Sequence, residues 1–359
     1  MKVGIVGLPG VGKTTLFRAL THGSATQEAR GMTGVTTGVV AVPDERFDWQ
    51  VAFFKPKKAT PATVEFVDGA PSMGDDSRKF SSEFFTQVRS VDALLHVVRA
   101  YESDILGSPT PVADLQKVQD ELTLADLQMV ETRLERIEKL LHGTKPGAVT
   151  PYTIERDLMT QIREWLEAEK PMAAFEFTED QRKQIRGFEF LTLKPAMVVA
   201  NTSEDEAGKE PSGAAAELKA HCEQNGLQFE AVCAKVEAEI SDLPEQEQAE
   251  FLEAMGLERP ASNMIIHQAY RATGMISFFT SGDPEVRAWT IPAGCHVVEA
   301  AEKIHSDIAR GFIRAEVANF DVVKECGGWE EAKRQNKVGL HMKDYVMQDG
   351  DVVYIRFKV

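Results

Sequence analysis

The chain has 359 residues, 43% of them hydrophobic, and a formal net charge of −16 at pH 7. This length predicts two or three domains, because one hydrophobic core rarely keeps growing beyond about 250–300 residues. The negative charge excludes a generally basic nucleic-acid binder, and no DNA partner is expected, since neutralising phosphates requires clustered Lys and Arg.

The charge is spread unevenly along the chain. Residues 276–359 contain 11 Lys and Arg against 13 Asp and Glu, so almost all of the excess negative charge precedes them. Anionic RNA is repelled least by that C-terminal stretch.

The cysteines and the N-terminus indicate a cytoplasmic protein. Cys222, Cys233, Cys295 and Cys326 form no Cys-x-x-Cys pair and have no matching His spacing, so neither a zinc site nor a disulfide framework is predicted. The first residues resemble a buried strand rather than a signal peptide. No stretch has 18 consecutive apolar residues, so no membrane partner is expected.

Short apolar runs bounded by turn residues recur in the first part of the chain. They alternate with helix-like stretches, which predicts a mainly parallel sheet of the α/β class. The runs are Val3–Val6, Val39–Val42, Val64–Val67, Ala93–Val98 and Ala196–Ala200.

The alternation stops between the last two of these runs. Apolar residues there follow helical spacing from Leu115 to Leu141, with a change of phase near Ala125, and predict one long amphipathic helix. Breaker residues follow at 142–147, and a second helical pattern runs from Tyr152 to Lys170. We predict an inserted antiparallel helical hairpin that could serve as a docking arm, the alternative being a merely solvated surface helix.

The pattern changes again after residue 275. Two strand-like runs, a helix-like stretch and two further strand-like runs predict a compact α+β module of the β-grasp type. The segments are Met275–Thr280, Val286–Ile291, the helical Val297–Ala309, Phe312–Ala318 and Val352–Phe357.

The N-terminal turn carries the most specific motif. Gly7, Gly12, Lys13 and Thr14 satisfy the spacing G-x-x-x-x-G-K-[ST] between a strand and a helix, which is the context expected of a P-loop. Backbone N–H groups of such a loop surround phosphate oxygens, Lys13 would reach the β and γ oxygens, and the Thr14 hydroxyl would bind Mg²⁺. The loop residues Gly10 and Val11 and the following Thr15 complete the predicted phosphate site. The alternative is a chance Gly-rich turn.

A metal-supporting carboxylate is expected at the end of a neighbouring strand. Val64–Val67 is followed by Asp68, which would hold the magnesium through water. A lone Asp after a strand is usually a turn former, and here the upstream P-loop favours the metal role. Beyond Lys13 and Asp68, which would support the transition state and the metal, no catalytic residue is assigned.

Taken together, the chain resembles the YchF family of Obg-like ATPases along nearly its full length. The resemblance implies a G domain in two parts, residues 1–112 and 189–275, interrupted by a helical hairpin at 113–188 and followed by a TGS module at 276–359. It also implies a cytoplasmic nucleotide hydrolase that associates with ribosomes. The segments that carry it include Gly4–Pro9, Val42–Arg46, Glu65–Asp68, His96–Arg99, Leu122–Leu127, Leu191–Pro195, Asn201–Glu204, Glu285–Ile291, Arg310–Glu316, Lys343–Tyr345 and Gln348–Val352.

The base-recognition stretch favours adenine. Guanine-specific G domains use Asn-Lys-x-Asp, whose carboxylate accepts from guanine N1–H and the 2-amino group, whereas adenine has neither donor. Here Asn201, Thr202 and Glu204 occupy these places, and the Asn201 amide could pair with the N7 and 6-amino edge of adenine. The family is known for this Asn-x-x-Glu form and for favouring ATP over GTP.

A second base-binding segment is expected at Cys233, Ala234 and Lys235. Related domains carry Ser-Ala-Lys there, and a backbone N–H of that segment closes over the base. The alternative reading of Cys233 is a small core residue.

The switch regions depart from the family pattern. Gly10 stands where the family usually has Asn, which can help to hold a monovalent cation such as potassium. The family's Asp-x-x-Gly becomes Asp68-Gly69-Ala70-Pro71, so the residue whose N–H should bond the γ-phosphate is a proline, which has none. The polar segment 72–79 follows in place of a Gly-rich one. The magnesium-binding threonine of switch I could be Thr33, Thr36 or Thr37, with Thr33 favoured.

Three functions fit these residues. The first is a slow ATPase of the YchF type, and the second is a nucleotide-gated ribosome-binding module with little or no turnover. A P-loop kinase is the third, but a kinase needs an Arg-rich mobile lid and the hairpin has mixed charge.

Overall fold

The computed structural model describes residues 1–21, 36–68, 80, 82–143, 145, 148–255 and 257–358. The chain forms two compact units, one of Met1–Gly38 with Glu65–Ser262 and the other of Val39–Val64 with Asn263–Val359. The described strands are β1 (Lys2–Val6), β2 (Thr36–Ala41), β3 (Lys58–Thr60), β4 (Thr63–Asp68), β5 (Ala93–Arg99), β6 (Ala196–Asn201), β7 (Gln228–Val232), β8 (Met275–Ser281), β9 (Glu285–Pro292), β10 (Phe312–Asn319), β11 (Gly339–His341) and β12 (Asp351–Phe357). The described α-helices are α1 (Lys13–Leu20), α2 (Glu45–Phe54), α3 (Ser82–Arg89), α4 (Pro111–Leu141), α5 (Pro151–Glu167), α6 (Glu179–Ile185), α7 (Gly213–Gln224), α8 (Ala234–Asp242), α9 (Glu245–Ala254), α10 (Ala261–Ala272), α11 (Val297–Ile304), α12 (Ser306–Arg310), α13 (Phe320–Cys326) and α14 (Trp329–Arg334).

The sheet of the first unit has the order β2-β4-β1-β5-β6-β7, and the predicted mainly parallel sheet is confirmed. The pairs of β1 with β4, β1 with β5, β5 with β6 and β6 with β7 are all parallel. Ile5 is in register with Asp68, and Arg99 with Asn201. Because parallel strands end at the same edge of a sheet, Asp68 and Asn201 lie close to the loop that follows β1.

The helical insertion is confirmed as the α4–α5 hairpin, and the phase change in α4 has a structural cause. Leu115 and Leu122 pack into clusters beneath the sheet, whereas Val130 and Ile137 pack against Leu158 of α5. The buried stripe therefore rotates around the helix where its partner changes. No described helix, α4 included, is both long and apolar enough to cross a membrane.

The second unit has the β-grasp architecture predicted for the C-terminal module. Its sheet order is β11-β10-β12-β8-β9-β3, with β8 and β9 antiparallel and β12 parallel to β8. Helix α11 packs on the core face of this sheet. The single helix predicted over 297–309 is instead two helices, because His305 adopts an extended backbone and its ring accepts a hydrogen bond from the Asp307 N–H to start α12.

Residues 39–64 lie in the second unit, whereas the predicted bounds of the G domain, 1–112, include them. Strand β3 pairs with β9, and Arg46 of α2 donates to Asp349 at 2.9 Å. Gln50 of α2 accepts a hydrogen bond from Ser281. The apolar pattern of a short strand does not reveal which of two sheets it joins.

Candidate functional site

The loop after β1 has a backbone conformation that favours glycine at two positions. Gly10 and Gly12 have φ angles of 79° and 95°, in the left-handed region that favours glycine. A Cβ on Gly12 would lie 2.3 Å from Nδ2 of Asn201, so a side chain there would also collide. The loop leads directly into α1, whose N-terminal N–H groups form an anion-binding end.

Lys13 is buried within this loop. Its Nζ donates to the carbonyl oxygens of Gly7 at 3.0 Å and Leu8 at 2.8 Å, and only 5% of the residue is exposed. Burial lowers the pKa of Lys13 to about 8, and the nearby Asp68 carboxylate opposes that change. The ammonium therefore stands where an anion in the loop would relieve its loss of hydration.

Thr14 and Asp68 form the predicted metal-supporting pair. The Thr14 Oγ1 donates to Asp68 Oδ2 at 2.8 Å, while Asp68 Oδ1 is buried without a hydrogen-bond partner among the described residues. Burial raises the pKa of Asp68 above its usual range, against the hydrogen bond from Thr14 and the charge of Lys13. Hydroxyl and carboxylate oxygens are the ligands that Mg²⁺ prefers, and the unsatisfied Oδ1 is ready to accept from a metal-bound water. The residues present thus fit a magnesium ion.

Asn201 connects the phosphate loop to the segment predicted to bind the base. Its Nδ2 donates to the Val11 carbonyl at 2.9 Å, and its Oδ1 accepts from the Ala234 N–H at 3.0 Å. Asn201 is buried, so both bonds are shielded from water. The predicted pairing with an adenine edge would have to use the amide's remaining proton and lone pair.

Two of the other residues predicted to bind the base form a surface ion pair. Lys235 Nζ lies 2.5 Å from Glu204 Oε1, and this carboxylate raises the pKa of Lys235. Cys233 is buried, which raises the pKa of its thiol and agrees with a small core residue. Thr202 is also buried, and a cavity of about 90 Å³ lined partly by Thr202 and Cys233 adjoins it.

Sequence reasoning missed the support that Arg99 provides. Its buried guanidinium donates to the carbonyls of Tyr101, Gly107, Leu106 and Ser108, at distances from 2.7 to 3.4 Å. The loop 101–108 that it holds touches the phosphate loop, since the Tyr101 hydroxyl donates to the Gly10 carbonyl at 3.3 Å. An arginine that ends a fully buried strand was the available signal.

The remaining predicted residues are not all described. Val11 is buried beneath the loop, Thr15 follows Thr14 in α1, and Thr36 and Thr37 begin β2. Thr33, Gly69, Pro71 and the segment 72–79 lie outside the described residues. The identity of the switch I threonine that binds magnesium therefore stays a prediction.

These features define a P-loop nucleoside triphosphatase domain. A parallel sheet presents a glycine-rich turn, a helix N-terminus, a buried lysine and a Thr–Asp pair at one edge, the arrangement that such domains use for phosphates.

The chain belongs to the YchF family. A model for the C-terminal domain of YchF-type GTPases, described as a protein of unknown function, matches residues 275–358, and a 50S ribosome-binding GTPase model matches residues 2–137. The Ribosome-binding ATPase YchF of Bacillus subtilis is 38% identical over 100% of both chains, and that of Pasteurella multocida is 39% identical over 100% of this chain and 99% of its own. The solved YchF GTPase of Schizosaccharomyces pombe has a TM-score of 0.86 at 28% identity, covering 99% of this chain and 97% of its own. These names disagree on the nucleotide, since the two bacterial relatives are called ATPases, whereas the solved structure and both family models are called GTPases.

Proposed function

We propose that the chain binds ATP with Mg²⁺ and hydrolyses it slowly. The observation that carries this proposal is the grouping of Lys13, Thr14 and Asp68 at the edge of the sheet. Lys13 would neutralise the β and γ oxygens, Thr14 would ligate the metal, and Asp68 would orient its water. The magnesium would neutralise the charge that develops on the phosphates.

A phosphate-release assay under multiple turnover, with and without ribosomes and potassium, tests this function. ATP-dependent phosphate release above that of a Lys13→Ala variant is the expected result. Binding of ATP without any release would instead support the second candidate, a nucleotide-gated ribosome-binding module. The proline at position 71 is the feature that favours this second candidate, since it cannot donate to the γ-phosphate.

We also propose that the protein works in the cytoplasm at the ribosome, through the hairpin and the C-terminal module. Its relatives' names support the partner. At the hairpin, a groove of about 520 Å³ is lined by Arg89, Arg133 and Arg136 among apolar and polar side chains. Arg89 is paired with Asp126 and Arg133 with Glu155, so Arg136 is the arginine of this groove best placed to meet an RNA phosphate. Co-sedimentation with ribosomes in the presence of ATP or ADP tests the association.

ATP should be preferred over GTP by about tenfold or more, because the N1–H and 2-amino donors of guanine would find no free carboxylate to accept their hydrogen bonds. Glu204 faces Lys235 rather than an open site, and Thr202 replaces the lysine of guanine-specific domains. Competition of unlabelled GTP and ATP against labelled ATP measures the ratio. The double variant Thr202→Lys, Glu204→Asp should shift it towards GTP, and the cavity beside Thr202 provides room for the longer side chain. Equal competition by GTP in the unmodified protein would contradict the preference.

ATP affinity should be constant up to about pH 8 and then fall, by about tenfold per pH unit. The reason is the low pKa of Lys13, about 8, in the nucleotide-free protein. Bound phosphates favour the charged lysine and raise its pKa, so the contribution of Lys13 is complete below pH 8 and is lost as the pH rises through the pKa of the complex. Calorimetry across this range measures the effect, with Lys13→Gln as the control that should show no such fall. A constant affinity up to pH 10 in the unmodified protein would rule out this role for Lys13.

A further inference from the structure

Two arginines lie side by side on neighbouring strands of the second unit's sheet, on the same face. Arg314 of β10 is in register with Arg356 of β12, and both are exposed. Like charges directly opposite one another destabilise an antiparallel pair. Arg356 is compensated by Glu316, to which it donates, whereas the side chain of Arg314 forms no hydrogen bond or ion pair with any described residue. The free protein thus carries, on this face, the positive charge of Arg314 without a paired carboxylate among the described residues to neutralise it.

The next register pair on the same face includes an exposed aromatic ring. Tyr354 lies opposite Glu316 and is 61% exposed, and Leu340 of β11, on the other side of Glu316, is 59% exposed. Glu316 itself is buried and bonded by Lys333 as well as Arg356. The intervening residues of β10 point to the core that α11 covers, as Ala315 shows. This face, which we call the β10–β12 face, therefore combines cations, an aromatic ring and a carboxylate that is already neutralised.

We propose that the β10–β12 face binds single-stranded RNA, with Arg314 and Arg356 holding a backbone phosphate and Tyr354 stacking on a base. Paired guanidiniums suit a phosphate, whose oxygens would remove their mutual repulsion. An exposed ring beside a cationic track is the usual means of holding unpaired nucleotides. An acidic peptide would satisfy the charges but leave the ring of Tyr354 unused. The inference rests on the proposed association with ribosomes and names the chemistry of one contact.

Fluorescence anisotropy of a labelled oligouridylate with the full-length chain tests the proposal. Arg314→Gln should raise the Kd about tenfold and reduce the salt slope by about one, as expected for one lost phosphate contact. Tyr354→Ala should raise the Kd by a similar factor, whereas Tyr354→Phe, which keeps the ring, should bind like the unmodified protein. Lys303→Gln, an exposed charge on α11 at the opposite side of the sheet, is the matched control and should change nothing.

Thermal melting separates binding from folding in the same variants. Since Arg314 repels Arg356, Arg314→Gln should leave the Tm unchanged or raise it, so weaker RNA binding cannot be ascribed to unfolding. Unchanged oligouridylate affinity in the Arg314→Gln, Arg356→Gln double variant would overturn the proposal. So would equal displacement by polyglutamate together with no effect of Tyr354→Ala, which would indicate an acidic peptide. The assay contains no ribosomes, so a failure of the unmodified protein to co-sediment with ribosomes would count against the proposed function separately.

Discussion

Replacing Lys13 by Ala is expected to raise the Kd for ATP with Mg²⁺ by about a hundredfold, equivalent to roughly 3 kcal/mol. The ammonium is the buried positive charge of the phosphate loop, and among the described residues it donates only to the carbonyls of Gly7 and Leu8. Phosphate oxygens would replace these neutral acceptors with charged ones, which makes the bonds roughly twice as strong.

Calorimetry on the Lys13→Ala variant provides the measurement. Lys117→Ala is the matched control, because Lys117 is an exposed lysine on α4 that pairs only with Asp114 among the described residues. Burial lowers the pKa of Lys13, which means that the charged side chain destabilises the free protein. The Lys13→Ala substitution should therefore not lower the Tm. Unchanged ATP affinity in Lys13→Ala would remove the assignment of the phosphate site.

The companion variant Thr14→Ala should lose the dependence of ATP binding on magnesium. Only the hydroxyl connects Thr14 to Asp68, so Thr14→Ser should retain the dependence and Thr14→Ala should not. Titration of ATP with and without a chelator measures it. A magnesium effect of normal size in Thr14→Ala would show that the metal is held elsewhere.

The phosphate loop and the main sheet could be predicted from the sequence because local rules determine both. Gly7, Gly12, Lys13 and Thr14 are close in the chain, and a buried strand before them and a helix after them are visible as periodic patterns. Asp68 could be added because parallel strands end at one edge, where the structure places it beside Thr14. The same rule accounts for the position of Asn201.

The supporting contacts could not be predicted because they depend on distances between segments far apart in the chain. Arg99 holds the loop 101–108 against Gly10 through backbone carbonyls, and carbonyl contacts leave no residue pattern. Asn201 also joins Val11 to Ala234, two contacts that the Asn-x-x-Glu pattern did not indicate, while its predicted pairing with the base stays a prediction. The assignment of residues 39–64 to the second unit likewise depends on tertiary pairs that no local rule encodes.

Intrinsic ATP hydrolysis should be about a hundredfold slower than is usual for the family, while ATP binding is normal. In the family pattern Asp-x-x-Gly, the glycine N–H would stabilise charge developing on the γ-phosphate, and Pro71, which takes its place in the sequence, has no N–H to donate. Losing one preorganised donor costs on the order of 3 kcal/mol in the transition state. Binding should suffer less, because Lys13 and the loop amides would still hold the β-phosphate.

Restoring the family pattern should therefore speed single-turnover hydrolysis with little change in ATP affinity. The restored protein carries Gly69→Ile and Pro71→Gly together with Gly10→Asn, which adds an amide that could position an activating cation. The structure permits the last change, since Asn tolerates the φ of 79° at Gly10 and its Cβ would approach only the Cδ1 end of Leu106, at 3.0 Å. Leu106 is half exposed and can move aside. Gly10→Ala in the same background is the matched control, because it adds the Cβ without the amide and should not gain a response to potassium. A restored protein that hydrolyses ATP no faster than the natural one would show that the altered switch does not limit the chemistry.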